Sequence, residues 1–205
     1  MVSTVIKNWD NKTWLSSKEY IKSFNRFLLK NTNLNADSKI LDIGCGRGKI
    51  AGDLNSKLKL KDKPIGIDIV NHKDKDKRII FKQISVSSFF LKNKIKFDLI
   101  LIKQTIHLLN FKDIKTLLNL SKKNLNKGGK IFIFTLDPFK NEIPTFTLMK
   151  SKLLRSLKKD VKILKLIKRL FKHKEIKFIY KVSIVKREYI RMIQNRYIST
   201  LLSLS

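Results

Sequence analysis

The sequence predicts an α/β fold: a doubly wound, mostly parallel sheet with a helical N-terminal extension and a basic C-terminal region. Three observations predict it. Ile40-Leu41-Asp42-Ile43-Gly44-Cys45-Gly46-Arg47-Gly48-Lys49-Ile50 reads as a short buried strand that breaks into a glycine-rich turn and opens a helix. Between residues 39 and 136, short apolar runs alternate with segments of helical periodicity, the pattern of a parallel sheet rather than a β-sandwich. The runs themselves are apolar at consecutive positions, as strands covered on both faces require.

Taken in order, residues 1–37 form the helical extension. Ser16-Ser17-Lys18-Glu19 has the form of a capping box, with the Ser16 hydroxyl and the Glu19 carboxylate available to exposed amides. Tyr20, Phe24, Phe27 and Leu28 follow at helical spacing, and the Asn-rich stretch Asn31–Asp37 ends that helix. Lys49–Leu58 is the first helix after the turn. Lys63–Val70 is the second strand, with Pro64 tolerable near its beginning. Asn71–Arg78 then suffices only for a loop where a doubly wound fold normally inserts a helix, so one sheet face is expected to be thinly covered. Ile79–Gln83 is the third strand, Phe97–Ile102 the fourth, and Phe111–Asn126 a helix that Lys127-Gly128-Gly129-Lys130 is expected to stop. Ile131–Leu136 is a fifth strand, expected to be buried on both faces. Leu148–Lys172 is a strongly basic helix with Leu153, Leu157, Val161 and Leu164 on one face. Ile176–Val185 reads as an extended strand and Arg187–Leu204 as helix.

The 205 residues suit one domain with room for a real core. Lys and Arg number 46 against 16 acids, a net charge of +30. Such an excess fits a nucleic-acid or anionic-membrane partner. It fits better the Lys-, Ile- and Asn-rich composition of AT-rich genomes, because phosphate-reading surfaces lean on Arg more than this chain does. Met1–Asp10 has no basic region followed by an apolar run, and no apolar stretch reaches membrane-spanning length. A single cysteine, Cys45, makes no internal disulfide, so a reducing, cytoplasmic setting is expected.

The glycine-rich turn carries the chemistry. The dinucleotide fingerprint is Gly-x-Gly-x-x-Gly, but here the third glycine arrives one residue early, at Gly48, and Asp42 precedes the first. That disfavours a nicotinamide-dependent oxidoreductase. The pattern Asp42-x-Gly44-x-Gly46-x-Gly48 resembles motif I of the class I S-adenosylmethionine-dependent methyltransferases, whose fold is Rossmann-like. Gly66-Ile67-Asp68-Ile69 resembles the family's acidic second-strand end. Phe97–Leu101 with Ile106-His107-Leu108-Leu109 resembles its fourth-strand motif in members that act on small molecules, and Leu125–Ile131 its approach to strand five. The four matches run in order through residues 39–136.

The resemblance implies S-adenosyl-L-methionine as cofactor and a methyl transfer. Gly44, Cys45, Gly46 and Gly48 would hold its methionine end, with Asp42 helping to bind the amino group. Asp68 would bond the ribose hydroxyls, with Ile69 beside it, the physical role that an acid plays at this place in dinucleotide folds. Ser85 stands where the family has an acid for the adenine amino group. Lys103 and Gln104 lie at the strand-four end, where cofactor and acceptor meet. His107 is the candidate base; its plainer role is packing or a bond to a backbone carbonyl. Cys45 reads as a small apolar filler rather than a nucleophile. Trp9, Trp14 and Tyr20 could cap the cofactor mouth or simply pack. The resemblance also implies an Arg-Tyr-x-Ser substrate lid at Arg196–Ser199. The expected organisation is one methyltransferase-like domain over 1–205: an extension (1–37), a cofactor-binding core (38–140), and a lid and C-terminal region (141–205). Ile102–Thr105 lacks the Asn/Asp-Pro-Pro-aromatic signature of base or amide methylation, and neither a zinc-like cysteine cluster nor a nucleic-acid module is visible. A small-molecule acceptor follows, an anionic one given the lysine-rich lid. The alternative is a non-catalytic relative whose basic helix, Lys150–Lys172, docks on anionic membrane or nucleic acid.

Overall fold

The computed structural model describes residues 14–137, 142, 144–195 and 201. The chain packs as two compact units, one of residues 21–135 and one of residues 1–20 with 136–205.

In the 21–135 unit, α1 (Lys18–Lys30, which begins in the other unit) leads to β1 (Ile40–Ile43), α2 (Lys49–Leu58), β2 (Ile65–Asp68) and β3 (Ile80–Gln83). Then come α3 (Val86–Lys92), β4 (Phe97–Lys103), α4 (Phe111–Lys123) and β5 (Leu125–Phe134). The five strands pair in parallel in the order β3-β2-β1-β4-β5. Chain order reverses between β1 and β4, and the carboxyl ends at such a switch are where open α/β sheets bind ligands.

The registers fix the sheet's two faces. Asp42 lies opposite Gly66 and Leu101, Leu101 opposite Phe132, and Lys103 opposite Phe134. These residues therefore share one face. α1 covers it: the Phe24 ring is fully buried and packs edge-on to Phe134 at 4.7 Å. Asn25 ties α1 to α2, donating from Nδ2 to the Ile50 carbonyl at 3.0 Å and to Asp53 Oδ2 at 2.8 Å.

As expected, no helix lies between β2 and β3. The connection is pinned to α2 by polar groups instead. Buried Asp76 receives the Arg78 guanidinium at 2.9 and 2.7 Å, and its amide donates to the Arg47 carbonyl at 2.9 Å. Arg78 also reaches Ser56 Oγ, and Asn55 donates to the Arg78 carbonyl. A helix would have buried apolar surface here; a clasp does not, so β3 stays half bare, with Ile80 exposed.

Four expectations need correction. Ser17, not Ser16, caps α1, because Ser16 is in a 3₁₀ turn (Trp14–Ser16) and Ser17 Oγ accepts the Tyr20 amide at 3.1 Å. Gly128-Gly129 does not stop α4, which ends on Asn124; the glycines form a bulge inside β5, where pairing jumps from Phe97–Leu125 to Leu99–Lys130. β5 is consequently longer than expected and only half-buried, because it lies at the sheet's edge. Ile176–Val185 is extended but joins no described strand.

The other unit contains α5 (Thr147–Leu170) and α6 (Lys186–Gln194). Met149 and Met192 pack with Leu201 in a small core that Trp14, Ile184 and Tyr189 flank. Phe178 and Tyr180, two residues apart on the extended segment, pack their rings against Tyr20 at 5.9 and 5.1 Å. Tyr20 and Trp14 thus meet packing partners within this unit, while Trp9 and Arg196–Ser199 lie outside the described residues. Among the described residues, no helix is long and apolar enough to cross a membrane.

Candidate cofactor site

The loop after β1 is built around left-handed backbone. Gly44, Gly46 and Gly48 have φ of 68°, 55° and 71°, a region costly for side-chain-bearing residues. A Cβ on Gly44 would stand 2.2 Å from Thr105 Oγ1, and one on Gly48 would stand 2.1 Å from Ile79 Cδ1. The Gly44 and Cys45 amides donate to the Ile67 carbonyl at 2.9 and 3.1 Å, folding the loop over the end of β2. Gly48 begins α2 without a side-chain cap, so the first-turn amides face the loop. Such a terminus favours an anionic group.

Asp68 ends β2 with its carboxylate fixed by backbone. Oδ2 accepts the Gly46 amide and Oδ1 the Val70 amide, both at 2.9 Å. Each oxygen keeps a further lone pair for a ligand. The His72 ring is nearly buried beside it, with Nε2 3.9 Å from Asp68 Oδ2 and Nδ1 without a partner among the described residues. Ile69, the next residue, is 70% exposed, an apolar side chain left bare at a strand end. Ser85 is exposed, and its hydroxyl already caps α3 by accepting the Ser88 amide at 3.2 Å.

Under the loop the electrostatics are tense. Asp42 is 4% exposed, and burial raises its carboxyl to about 7, with Lys103 pulling it down and Asp68 pushing it up. Burial likewise lowers the Lys103 ammonium to about 8, against the attraction of Asp42. Lys103 Nζ lies 5.6 Å from the centre of the Phe24 ring, a cation–π approach on the same sheet face. The Cys45 thiol is raised well above its ordinary value by burial, then by Asp42 and Asp68. A thiol held protonated is a poor nucleophile, in line with a packing role.

After β4, Gln104 adopts φ of 53°, unusual for a residue with a side chain, while its amide donates to the Phe134 carbonyl at 2.8 Å. That turn sends Thr105 back toward the glycine loop. Thr105 Oγ1 donates to the Lys103 carbonyl at 3.0 Å and lies 3.4 Å from the Ile43 carbonyl. His107 follows in the 3₁₀ turn Ile106–Leu108, half-buried.

The loop, Asp42, Asp68, Ile69, Lys103 and Gln104 therefore gather at the carboxyl ends of β1, β2 and β4. Asp98, quoted within the fourth-strand motif, serves the opposite end: it accepts the Lys39 amide and the Asn126 side chain at 2.7 and 2.8 Å. Sequence reasoning missed Thr105, Arg47 and His72. Thr105 carries a weak signal, a hydroxyl two residues past a strand end; Arg47 and His72 carry none, since both are polar residues in polar loops. Two depressions lie elsewhere. One of about 510 Å³ is lined by α6 residues alone, and one of about 390 Å³ lies near the amino ends of β1 and β4. The surface with the Asp68 carboxylate, the uncapped start of α2 and a bare Ile69, over buried Asp42, is the better candidate, because its chemistry converges and theirs does not. Among the described residues, no cluster of His, Cys, Asp and Glu could hold a metal ion.

The family model described as "Methyltransferase domain" matches residues 14–178, and the chain belongs to that family. No curated protein matches the chain. Among solved structures, the chain is similar to a glycopeptide N-methyltransferase, MtfA, at 16% identity and a TM-score of 0.46, covering 59% of this chain and 57% of that one. It is also similar to the precorrin 8W decarboxylase of Methanobacterium thermoautotrophicum, at 14% identity and TM-score 0.48, covering 76% and 77%. An S-adenosylmethionine-dependent methyltransferase from Clostridium acetobutylicum matches at 21% identity and TM-score 0.44, over 55% and 49%. The chain thus spans a little over half the length of the MtfA structure.

Proposed function

We propose that the protein is an S-adenosylmethionine-dependent methyltransferase acting on a small-molecule acceptor. The observation that carries this reading is the pairing of a methyltransferase-domain match with a glycine loop whose Gly46 amide holds the Asp68 carboxylate at the sheet's switch point.

The residues suit such a cofactor. Asp68 presents lone pairs to a ribose diol, and bare Ile69 offers an apolar platform to a purine. The uncapped start of α2 suits a carboxylate, while Asp42 suits an ammonium. Lys103 and Gln104 border the methionine end at the close of β4. With the Ser85 hydroxyl committed to capping α3, adenine recognition falls to backbone groups near it.

S-adenosylmethionine supplies a methyl already activated on a sulfonium. The protein therefore aligns the acceptor and keeps water out. The Gly44–Gly48 loop and Thr105 set that alignment by locking the ends of β1 and β4 together. His107 is proposed as the base that takes the acceptor's proton where one must leave. The acceptor carries an anionic group, drawn by the field of the lysine-rich segment 141–205.

Titration calorimetry with S-adenosylmethionine tests the reading. Saturable binding is expected, sharply weakened in Asp68→Ala and Gly46→Val; no binding by the intact chain would overturn it. A screen of extract metabolites with radiolabelled cofactor would then identify the acceptor.

A further inference from the structure

We propose that the α5–α6 unit carries a surface that docks on an anionic phospholipid bilayer, a role separate from methyl transfer. Two features coincide there. The first is charge. Residues 144–195 hold sixteen basic and three acidic side chains, whereas residues 21–135, more than twice as many, hold twenty-five and nine. A lysine excess of purely compositional origin would spread evenly along the chain.

The excess is also arranged. Arg155, Lys158, Lys162, Lys165 and Arg169 recur every three or four residues and are all exposed, so they form one stripe about 21 Å long on α5. The opposite face, with Met149, Leu153, Leu157 and Ile163, is buried. Asp160, the one acid of α5, is on that buried face, so α5 itself adds no acid to the stripe. Glu175, beyond the helix, pairs at 2.5 Å with Lys168, which is not one of the stripe's five cations.

The second feature is bare aliphatic surface. Of the fourteen exposed large apolar side chains among the described residues, eight lie from Phe146 to Ile190. On the extended segment, Ile176, Phe178 and Tyr180 are half-buried, while the alternate row of Lys177, Ile179, Lys181 and Val185 is exposed. Ile179 is 78% exposed and Val185 65%, each beside a lysine. Leu154, 50% exposed, stands next to Arg155 in the same way.

Cations interleaved with aliphatic side chains fit a bilayer interface. The ammonium groups meet lipid phosphates and the aliphatic groups enter the acyl boundary. Nucleic acid fits less well. Single strands are held by aromatic stacking and duplexes by hydrated phosphate contacts, and neither rewards a bare Ile or Val. Only four of the sixteen cations are Arg, the residue whose fork reads phosphodiesters best.

The test is vesicle co-sedimentation of the full chain, with phosphatidylcholine alone and with one-third phosphatidylglycerol. Binding to the anionic vesicles is expected to be stronger by roughly tenfold or more and to weaken with salt. The combined variant Arg155→Glu, Lys158→Glu, Lys162→Glu, Lys165→Glu should lose it. The pair Ile179→Ser, Val185→Ser should weaken it at every salt concentration, and circular dichroism and cofactor binding should stay unchanged in both. Equal binding to neutral and anionic vesicles would overturn the proposal. So would wild-type binding by the charge-reversed variant, or transfer of the chain from vesicles to a single-stranded RNA competitor at equal phosphate concentration.

Discussion

Asp42 and Lys103 show how much one residue's environment decides. Asp42 stands on the face that α1 covers, where burial raises it to about 7. A carboxyl raised on folding contributes stability that is present below its ordinary value, about 3.9, and lost as pH rises through about 7. Lys103, lowered to about 8, contributes stability that is present above its ordinary value and lost as pH falls through about 8. The unfolding temperature without ligand should therefore fall by a few degrees between pH 5 and pH 7, and Asp42→Asn should flatten that slope, as thermal melts at stepped pH would show. Asp68 makes a different prediction. Losing a charged acceptor of two ligand hydroxyls should weaken S-adenosylmethionine binding by roughly 10- to 100-fold in Asp68→Ala, measured by calorimetry. Part of that loss would arise through Gly46, whose amide the carboxylate holds.

The β2–β3 connection is the element where polar contacts replace a helix. Burial would raise the Asp76 carboxyl, yet the Arg78 guanidinium and backbone amide hold it below the ordinary carboxylate range. Arg78→Ala leaves that buried carboxylate with the backbone amide but without the guanidinium and should cost about 1–3 kcal/mol in urea unfolding. α2 offers the opposite case. Its C-cap, Lys59, sits at φ of 50°, a left-handed position that glycine adopts freely. Lys59→Gly should stabilise the chain by about 0.5–1 kcal/mol in the same assay. Elements of strong periodicity, such as Lys49–Leu58, were legible to the residue because apolar spacing and the glycine turn agree there. β5 was not. Its core run Ile131–Phe134 looks like a buried central strand, and only pairing order reveals that nothing described lies beyond it.

At the scale of the molecule, a ligand at the switch point acts on one unit. A cofactor at about 100 times its dissociation constant adds roughly 2.7 kcal/mol to the state that binds it. Hydrogen exchange should then slow in the loop 44–48 and in 68–72, within the 21–135 unit. α5, which supplies none of those groups, should keep its rates. Slowing spread evenly over both units would contradict that placement.

The sequence by itself determined the fold class, the glycine loop and the acid at the end of β2. Each rests on local chemistry: strand-type apolar runs, glycines where backbone must turn left-handed, and a carboxylate a fixed distance along the chain. Only the tertiary structure decided what surrounds them. It placed Thr105 against Gly44, turned the chain at Gln104, set half-buried Lys103 near Asp42 and set His72 against Asp68. It also committed Ser85 to a helix cap and left Ile176–Val185 outside the sheet. Thr105 with Gly44 and Lys103 with Asp42 are residues far apart in sequence that meet across strands, whereas Ser85 and His72 depend on which hydrogen-bonding groups remain after each has met its nearest partner. Spacing along a chain carries the local chemistry and cannot carry either of these.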